Sequence, residues 1–308
     1  LADIHIRKLH RFVEYRQVFK KLYKQLKDLK PDVIYIGGDV VHGKLDTSPE
    51  EVRMVANFFL ELCKIAPTII IPGNHDCNLN NKSREDTLSP IVDLVQKITP
   101  NLHYWKKTGV YNMDNVDFAT LSIFDIDKEG KQRTDTMPSP DNHREQTKIA
   151  LFHGGVDKHF YDNGFQVQDE RVTNETFKGY DLVLLGDIHK RQFLNEEKTI
   201  AYPGSLIQQN YSEEPSHGFL LWDVETLSAT YHQVENDYGY KIIFVEDGVI
   251  RNKMNFVPPK GNIKIKYTNT NLEQLKDIQV DLRKQYPKLK DIITERQDNI
   301  SIGDDREN

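Results

Sequence analysis

The sequence predicts an α/β fold built on two sheets, with a small α+β unit towards the C-terminal end. Three observations carry this reading. Short runs of β-branched and aliphatic residues, which suit buried strands, recur at 33–36, 69–71, 149–152 and 182–185. Stretches with apolar residues at spacings of three and four separate the first of these runs. The resulting β-α-β order implies right-handed crossovers and largely parallel pairing. After Lys241 the composition shifts, and residues 262–267 alternate Ile and Lys ahead of a helical stretch and a last strand. The expected division is residues 1–257 for the main domain and 258–308 for a β-α-β appendage.

Taken in order, residues 1–5 form the end of a strand. Asp3 and His5 alternate with Ala2 and Ile4, so an extended backbone points both polar side chains the same way. Residues 11–29 are helical, with Phe12, Tyr15, Phe19, Leu22 and Leu26 on one face and a Lys-rich solvated remainder. Pro31 ends that helix and launches the next strand. Ser48 is a good N-cap, Pro49 suits a first turn, and Glu50 and Glu51 favour the helix dipole, so a second helix follows. It is expected to pack on its own sheet. Ala66-Pro67 breaks it before the strand at 69–71, where Pro72 has no N–H for a ladder and Gly73 permits a tight turn.

Residues 78–85 form a polar loop carrying Lys82 and Arg84, and 88–98 a short helix. Short strands occupy 101–122, and 125–144 is a polar surface excursion containing Pro138 and Pro140. Residues 200–205 and 218–224 are expected to be antiparallel strands completing the second sheet. A strand at 262–267, an amphipathic helix at 272–286 and a strand at 289–296 close the chain.

A chain of 308 residues, 38% hydrophobic and 29% charged, buries a sizeable core. No apolar stretch approaches the roughly 20 residues of a membrane span. No signal peptide is visible, although the chain opens on Leu1 and its true start is expected upstream. Cys63 and Cys77 are too few for a disulfide framework. A reducing, cytoplasm-like compartment is expected. The net charge of −6 excludes a simple basic DNA-binding module, but not an enzyme whose metals meet the phosphate.

The chemistry gathers at strand ends, where open α/β sheets place their sites. Asp3-x-His5, Gly38-Asp39-x-x-His42, Gly73-Asn74-His75-Asp76, His153-Gly154 and Gly186-Asp187-x-His189 all end in Asp, Asn or His. Such oxygen and imidazole donors, without cysteine, suit Mn²⁺, Fe²⁺ or Zn²⁺. Asp3, His5, Asp39, Asn74, His153, Asp187 and His189 are enough for a binuclear site in which one carboxylate bridges two cations. His42 and His75 remain over, which suits a non-ligand acid near a leaving oxygen. Asp76 is either a turn former and cap or an orienter of the Asn74–His75 loop. His10, His103, His143, His159, His217 and His232 lack motif context and read as core or surface, and Cys77 as incidental. Lys82, Arg84, Lys158 and Arg191 follow site motifs and either touch phosphates or are solvated.

These motifs, in this order, resemble the calcineurin-like metallophosphoesterase superfamily. Within it the chain resembles the nuclease subunit of the SbcC–SbcD type of double-strand-break repair complex, including phage recombination nucleases. Tyr202-Pro203-Gly204-Ser205-Leu206-Ile207-Gln208-Gln209 is similar to that branch's segment after the last ligand motif, and the tail has the pattern of its DNA-capping domain. The resemblance implies a two-sheet β-sandwich flanked by helices. It implies that Asp3, His5, Asp39 and His189 hold one metal and Asp39, Asn74, His153 and Asp187 the other, with His75 as catalytic histidine assisted by His42. The family usually has Gly-His-x-His where this chain has Gly186-Asp187-Ile188-His189, which makes the second position richer in carboxylate and favours Mn²⁺ or Mg²⁺. It further implies a DNA nuclease of the cytoplasm, the nucleoid or a phage-infected cell, a homodimer and an SMC-like ATPase partner of the SbcC type. The rival expectation is a phosphatase or phosphodiesterase acting on a substrate other than DNA.

Overall fold

The computed structural model describes residues 1–7, 9–44, 46–81, 84–140, 146–168, 170–252, 254 and 256–297. Lys82 and His143 therefore lie outside the described residues. The chain divides into two compact units, Leu1–Ile207 with Ser216–Glu235, and Gln208–Pro215 with Asn236 onward.

In the first unit, α1 (Phe12–Leu29) buries Phe12, Tyr15, Val18, Phe19, Leu22 and Leu26. It stops at Lys30, which turns left-handed and returns its N–H to Leu26. Then come β1 (Ile34–Ile36), α2 (Pro49–Cys63), β2 (Thr68–Ile70), α3 (Ser89–Gln96) and β3 (Leu102–Tyr104). Ser48 caps α2 by accepting the Glu51 N–H at 3.2 Å. Phe58 of α2 stacks on Phe19 of α1, ring centres 4.3 Å apart, so α2 packs on its neighbouring helix as well as on the sheet. The three strands pair in parallel, β1–β2–β3, as the β-α-β order requires.

The second sheet is built from β4 (Gly109–Met113), β5 (Val116–Leu121), β6 (Thr147–His153), β7 (Leu182–Gly186), β8 (Gln192–Phe193) and β9 (Ile200–Tyr202), in the order β4-β5-β6-β7-β9-β8. Alternation along β6 and β7 divides its faces. Ile149, Leu151 and Leu182 meet Ile69, Ile71, Trp105 and Phe118 in an apolar layer between the sheets. Ala150, Phe152, Val183 and Leu185 face outward under Val156, Val172 and Phe177. This is the expected two-sheet sandwich. Two details differ from expectation. β9 runs parallel to β7 and antiparallel only to β8, because the loop after Gly186 and β8 together reverse the chain twice. β10 (Gly218–Asp223) pairs with β11 (Ser228–Gln233) as a separate hairpin.

The second unit carries β12 (Tyr240–Glu246), β13 (Val249–Ile250), β14 (Asn262–Thr268), α4 (Leu272–Gln285) and β15 (Asp291–Arg296), in sheet order β13-β12-β14-β15. Ile263 and Ile265 are fully buried under α4, while Lys264 reaches Glu295 at 3.0 Å on the other face. The unit begins ahead of the boundary expected at residue 258, because β12 pairs with β14 along its whole length. The composition shift after Lys241 falls inside β12, whereas the boundary expected at 258 follows only the later strands.

Asp86 ties α3 to β3. It accepts from the N–H groups of Leu88 and Ser89 at 3.0 and 2.8 Å, from Tyr104 Oη at 2.9 Å and from Lys106 Nζ at 2.5 Å. Burial works against its charge, but Lys106 and the Ser89 hydrogen bonds prevail and lower its pKa. Asp86→Ala is expected to lower stability at pH 7 by roughly 1–3 kcal/mol in urea unfolding. A folded-state pKa below the unfolded value of about 3.9 makes the stabilisation complete above that pH. It is lost as pH falls through the lowered value, so the gap between wild type and variant should narrow in acid.

Candidate metal centre

The site is assembled where parallel strands end. β1 runs into Gly37-Gly38-Asp39, β2 into Pro72-Gly73-Asn74-His75, β6 ends on His153, and β7 leads through Gly186 to Asp187 and His189. The first residues lie alongside β1's exit. Asp3, His5 and Ile6 donate their N–H groups to Gly38, Asp39 and Val40 at 3.1, 2.9 and 2.9 Å. They do not form the extended strand expected there. Asp3 and His5 are left-handed, with φ of 53° and 48°, as are Asp39 at 52° and Asp187 at 98°. Asp tolerates this region and His does so at a cost. Tyr15 holds His5 in place by donating to its carbonyl.

All seven expected ligand residues meet, around His5 and around His153, with Asp39 and Asp3 near both. In the first set, His5 Nε2 lies 2.9 Å from His189 Nε2, 3.5 Å from Asp39 Oδ2 and 4.0 Å from Asp3 Oδ1. In the other, His153 Nε2 lies 3.2 Å from Asn74 Oδ1, 3.4 Å from Asp39 Oδ1 and 3.7 Å from Asp187 Oδ1. Each Asp39 oxygen therefore faces a different set. The ring orientation of His153 is fixed by its Nδ1–H, which donates to the Gly37 carbonyl at 2.6 Å. Asp3 accepts the Asp187 N–H at 3.1 Å. His75 donates its N–H to Asp39 at 2.7 Å, and its Nδ1–H to the His42 carbonyl at 2.8 Å. The His42 and His75 rings stack with centres 5.0 Å apart.

The electrostatics suit cations. Burial raises the Asp3 carboxyl to about 7, with Asp39 and Asp187 adding to it, and burial also raises Asp187. Asp39 is buried too, but His153, His5 and the His75 N–H outweigh burial and hold it below the usual carboxylate range. Burial opposes charge on His153, yet Asp39, Asp187 and Asp3 keep its pKa well above the ordinary value. Asn74 adds a tie. With its amide rotated it donates to Asp39 at 3.2 and 3.3 Å, which binds the loop after β2 to the Asp39 carboxylate. Oxygen and imidazole donors converging in a buried pocket fit hard or borderline divalent ions.

Residues 1–191 match the sequence description of the calcineurin-like phosphoesterases. The chain belongs to the calcineurin-like phosphoesterase family. Its metal-dependent phosphoesterases use divalent ions, and the clustered donors here are of that kind. Protein R555 of Acanthamoeba polyphaga mimivirus is 43% identical over 93% of this chain, which spans 21% of that protein. Putative phosphoesterase 244L of Invertebrate iridescent virus 6 is 24% identical over 62% of the chain and 63% of its own length. The DNA double-strand break repair protein Mre11 of Nanoarchaeum equitans is 24% identical over 66% of the chain and 58% of its own length. The chain thus spans less than two thirds of each of these relatives.

Several residues of this phosphoesterase centre carry more than their sequence context shows. Asp76, fully buried, accepts from Val41 N at 3.0 Å and from Gly73 N at 2.8 Å, pinning the Asn74–His75 loop to the Asp39 segment. It is the orienter rather than only a turn former. Arg7 Nη1 lies 3.0 Å from His42 Nε2. Tyr202 Oη accepts from Val156 N at 2.9 Å and donates to Gly154 O at 2.7 Å, fixing the loop after His153. Arg191 lies over the Tyr231 ring at 3.5 Å. Among the described residues no helix is long and apolar enough to cross a membrane.

The approach of the two central loops depends on glycine. A Cβ on Gly73 would stand 2.2 Å from Asp39 Oδ1, and one on Gly186 would stand 2.0 Å from the Gly37 carbonyl oxygen. Gly73→Ala is expected to leave far-UV circular dichroism unchanged but to weaken manganese binding by about 10–100-fold, as loss of ligand orientation typically does. Calorimetric titration checks this, and unchanged affinity would show that the loops separate without consequence.

Proposed function

We propose that the chain is a metal-dependent DNA nuclease that hydrolyses phosphodiesters at a binuclear centre. The carrying observation is the division of Asp39 between two ligand sets, Oδ2 toward His5 and Oδ1 toward His153. Asp3, His5, Asp39 and His189 would hold one ion, and Asp39, Asn74, His153 and Asp187 the other, with Mn²⁺ the favoured metal and Mg²⁺ or Fe²⁺ as alternatives. When bound, the two ions supply positive charge to a phosphodiester and acidify water for in-line attack. His75 is not needed as a ligand. With its Nδ1–H on the His42 carbonyl, its Nε2 is left to donate to the sugar oxygen that departs. His42 assists through that carbonyl and through ring stacking, not through a side-chain hydrogen bond to His75.

The DNA substrate is supported by the relative named as a DNA double-strand break repair protein, and the rival, a phosphoesterase on another substrate, by the relative named as a putative phosphoesterase. The reading extends to a homodimer, to an SMC-like ATPase partner of the SbcC type, to a DNA-capping role for the second unit, and to the cytoplasm, nucleoid or infected cell as its place. The viral relatives support the last of these. End-labelled single-stranded and duplex DNA with Mn²⁺, run beside phosphoamino acids and with or without a candidate ATPase, is the test. Turnover of phosphoamino acids alone would establish the rival.

Asp39→Ala is expected to abolish hydrolysis and to lose both ions in metal analysis, because one carboxylate serves both sets. Two tightly held ions in that variant would remove its bridging role. His75→Ala is expected to keep both ions and to cut at least about a hundredfold more slowly, as removal of a general acid typically does. His42→Ala, which retains the backbone carbonyl, is expected to be milder. Single-turnover rates with parallel metal analysis separate these outcomes.

A further inference from the structure

The loop that leaves β7 carries a cation that the ligand geometry does not use. Arg191 stands two residues past His189, so its backbone lies within about 7 Å of a residue of the metal centre. This backbone is pinned. The His189 carbonyl accepts the Ser205 N–H at 3.1 Å, and the Lys190 carbonyl accepts from Gln192 Nε2 at 3.2 Å. Gly204 lets the neighbouring loop press close, since a Cβ there would stand 2.6 Å from the His189 carbonyl oxygen and 3.0 Å from Arg191 N.

The side chain is held as well. The guanidinium carbon of Arg191 lies over the Tyr231 ring, 3.5 Å from its centre, which is van der Waals contact. Tyr231 sits on β11, and its hydroxyl lies 3.1 Å from Ser216 Oγ, so the shelf is itself anchored. Arg11 over Tyr15, Lys106 over Phe124, Lys260 over Tyr238 and Lys264 over Tyr211 are farther from their rings, at 5.6, 5.5, 5.1 and 5.0 Å. Those cations also reach carboxylates, of Glu14, Asp86, Asp237 and Glu295 respectively. Arg191 does not. Among the described residues its exposed guanidinium makes no hydrogen bond or ion pair. Stacking uses one face of the guanidinium and leaves the N–H groups at its edge for another partner.

Arginine also covers aromatic surface as plain packing, but packing alone does not account for the missing counter-charge. The chain has a net charge of −6, yet this cation beside a metal centre is given no carboxylate. It forms no ion pair with Asp3, Asp39 or Asp187, so it stands outside the cluster of ligands. A planar fork of donors there matches a phosphate in two parallel hydrogen bonds. Standing off the ligands, it suits a phosphate beside the one that the metal centre would hold.

We propose that Arg191 binds the phosphate next to the scissile one, with Tyr231 as the shelf that holds its guanidinium ready, a reading that rests on the nuclease activity proposed above. The site thereby favours a chain of phosphodiesters over a lone phosphate ester. The contact is to the backbone of the strand and carries no base sequence.

The test is binding of a labelled single-stranded phosphorothioate oligonucleotide, which keeps its backbone charge and resists cleavage. Fluorescence anisotropy is read at fixed Mn²⁺ over a range of salt concentrations. Arg191→Ala is expected to weaken binding about tenfold, the scale of hydrogen bonding to a charged group. It should also flatten the plot of log affinity against log salt by about 0.7, the share of one phosphate on a single strand. Arg191→Lys keeps the charge and should keep the slope, while losing affinity with the fork and the stack. Tyr231→Leu should keep the slope and lose affinity too, and Tyr231→Phe should bind as wild type does. An unchanged slope in Arg191→Ala would make the pair packing alone and overturn the proposal, as would a wild type that does not bind the probe. Wild-type affinity in Tyr231→Leu would overturn the role of the shelf. Cleavage of unmodified DNA is scored separately. An Arg191-dependent slope in a chain that does not cut DNA would sink the nuclease reading alone, and DNA cleavage with an unchanged slope would sink the Arg191 contact alone.

Discussion

The closeness of the Asp39 turn to Gly73 is the constraint on which the centre rests. Two parallel pairs, β1 with β2 in one sheet and β6 with β7 in the other, deliver their C-terminal ends to one region, and the loops leaving them have little room. Asp39 fills that room with a carboxylate whose two oxygens serve different neighbours, and this works only while the next loop carries no side chain at residue 73. Asp76 then locks the same two loops from below through backbone N–H groups. The arrangement of the clustered donors is thereby set by backbone packing, with side-chain choice acting within it.

The left-handed backbone at Asp3, His5, Asp39 and Asp187 belongs to the same arrangement. Residues held in sparsely populated regions cost about 1–3 kcal/mol each and persist only where the surroundings over-determine them. Here the surroundings are extensive. One apolar cluster under α1, α2 and α3 and another between the sheets clamp both sides of the loops. Within that backbone the side chains of Asp3, His5, Asp39 and Asp187 gather in one pocket.

Much of this was legible in the sequence, because strand-then-ligand motifs encode both a buried element and its chemical tip. All seven expected ligand residues and both additional histidines meet at one place. The illegible parts have physical reasons. Alternation of Asp3 and His5 suggested a strand, since nothing in residue type announces positive φ at a histidine. β9 was expected to be antiparallel because its short apolar run carries no direction, and direction is set by the double reversal through β8. β12 lies ahead of the boundary expected at residue 258, and its pairing with β14 is what makes it part of that sheet. Asp76 looked like a turn former, and only the distant Val41 N–H reveals its second attachment.

The short segment Gln208–Pro215 has a consequence for how this protein is partitioned. It belongs to the second unit although Ser216–Glu235 returns to the first. The Gln208 amide behaves like one more strand residue, accepting the Tyr240 N–H at 2.7 Å and donating to its carbonyl at 3.1 Å. Topologically the second unit is stitched through the chain at two places and is not appended at one. No single scission separates it, and a gene fragment closed after Glu235 would still encode a loop whose hydrogen-bonding partners had been left behind. Modular exchange of this unit would have to move two non-adjacent pieces together, and neither piece is whole without the other.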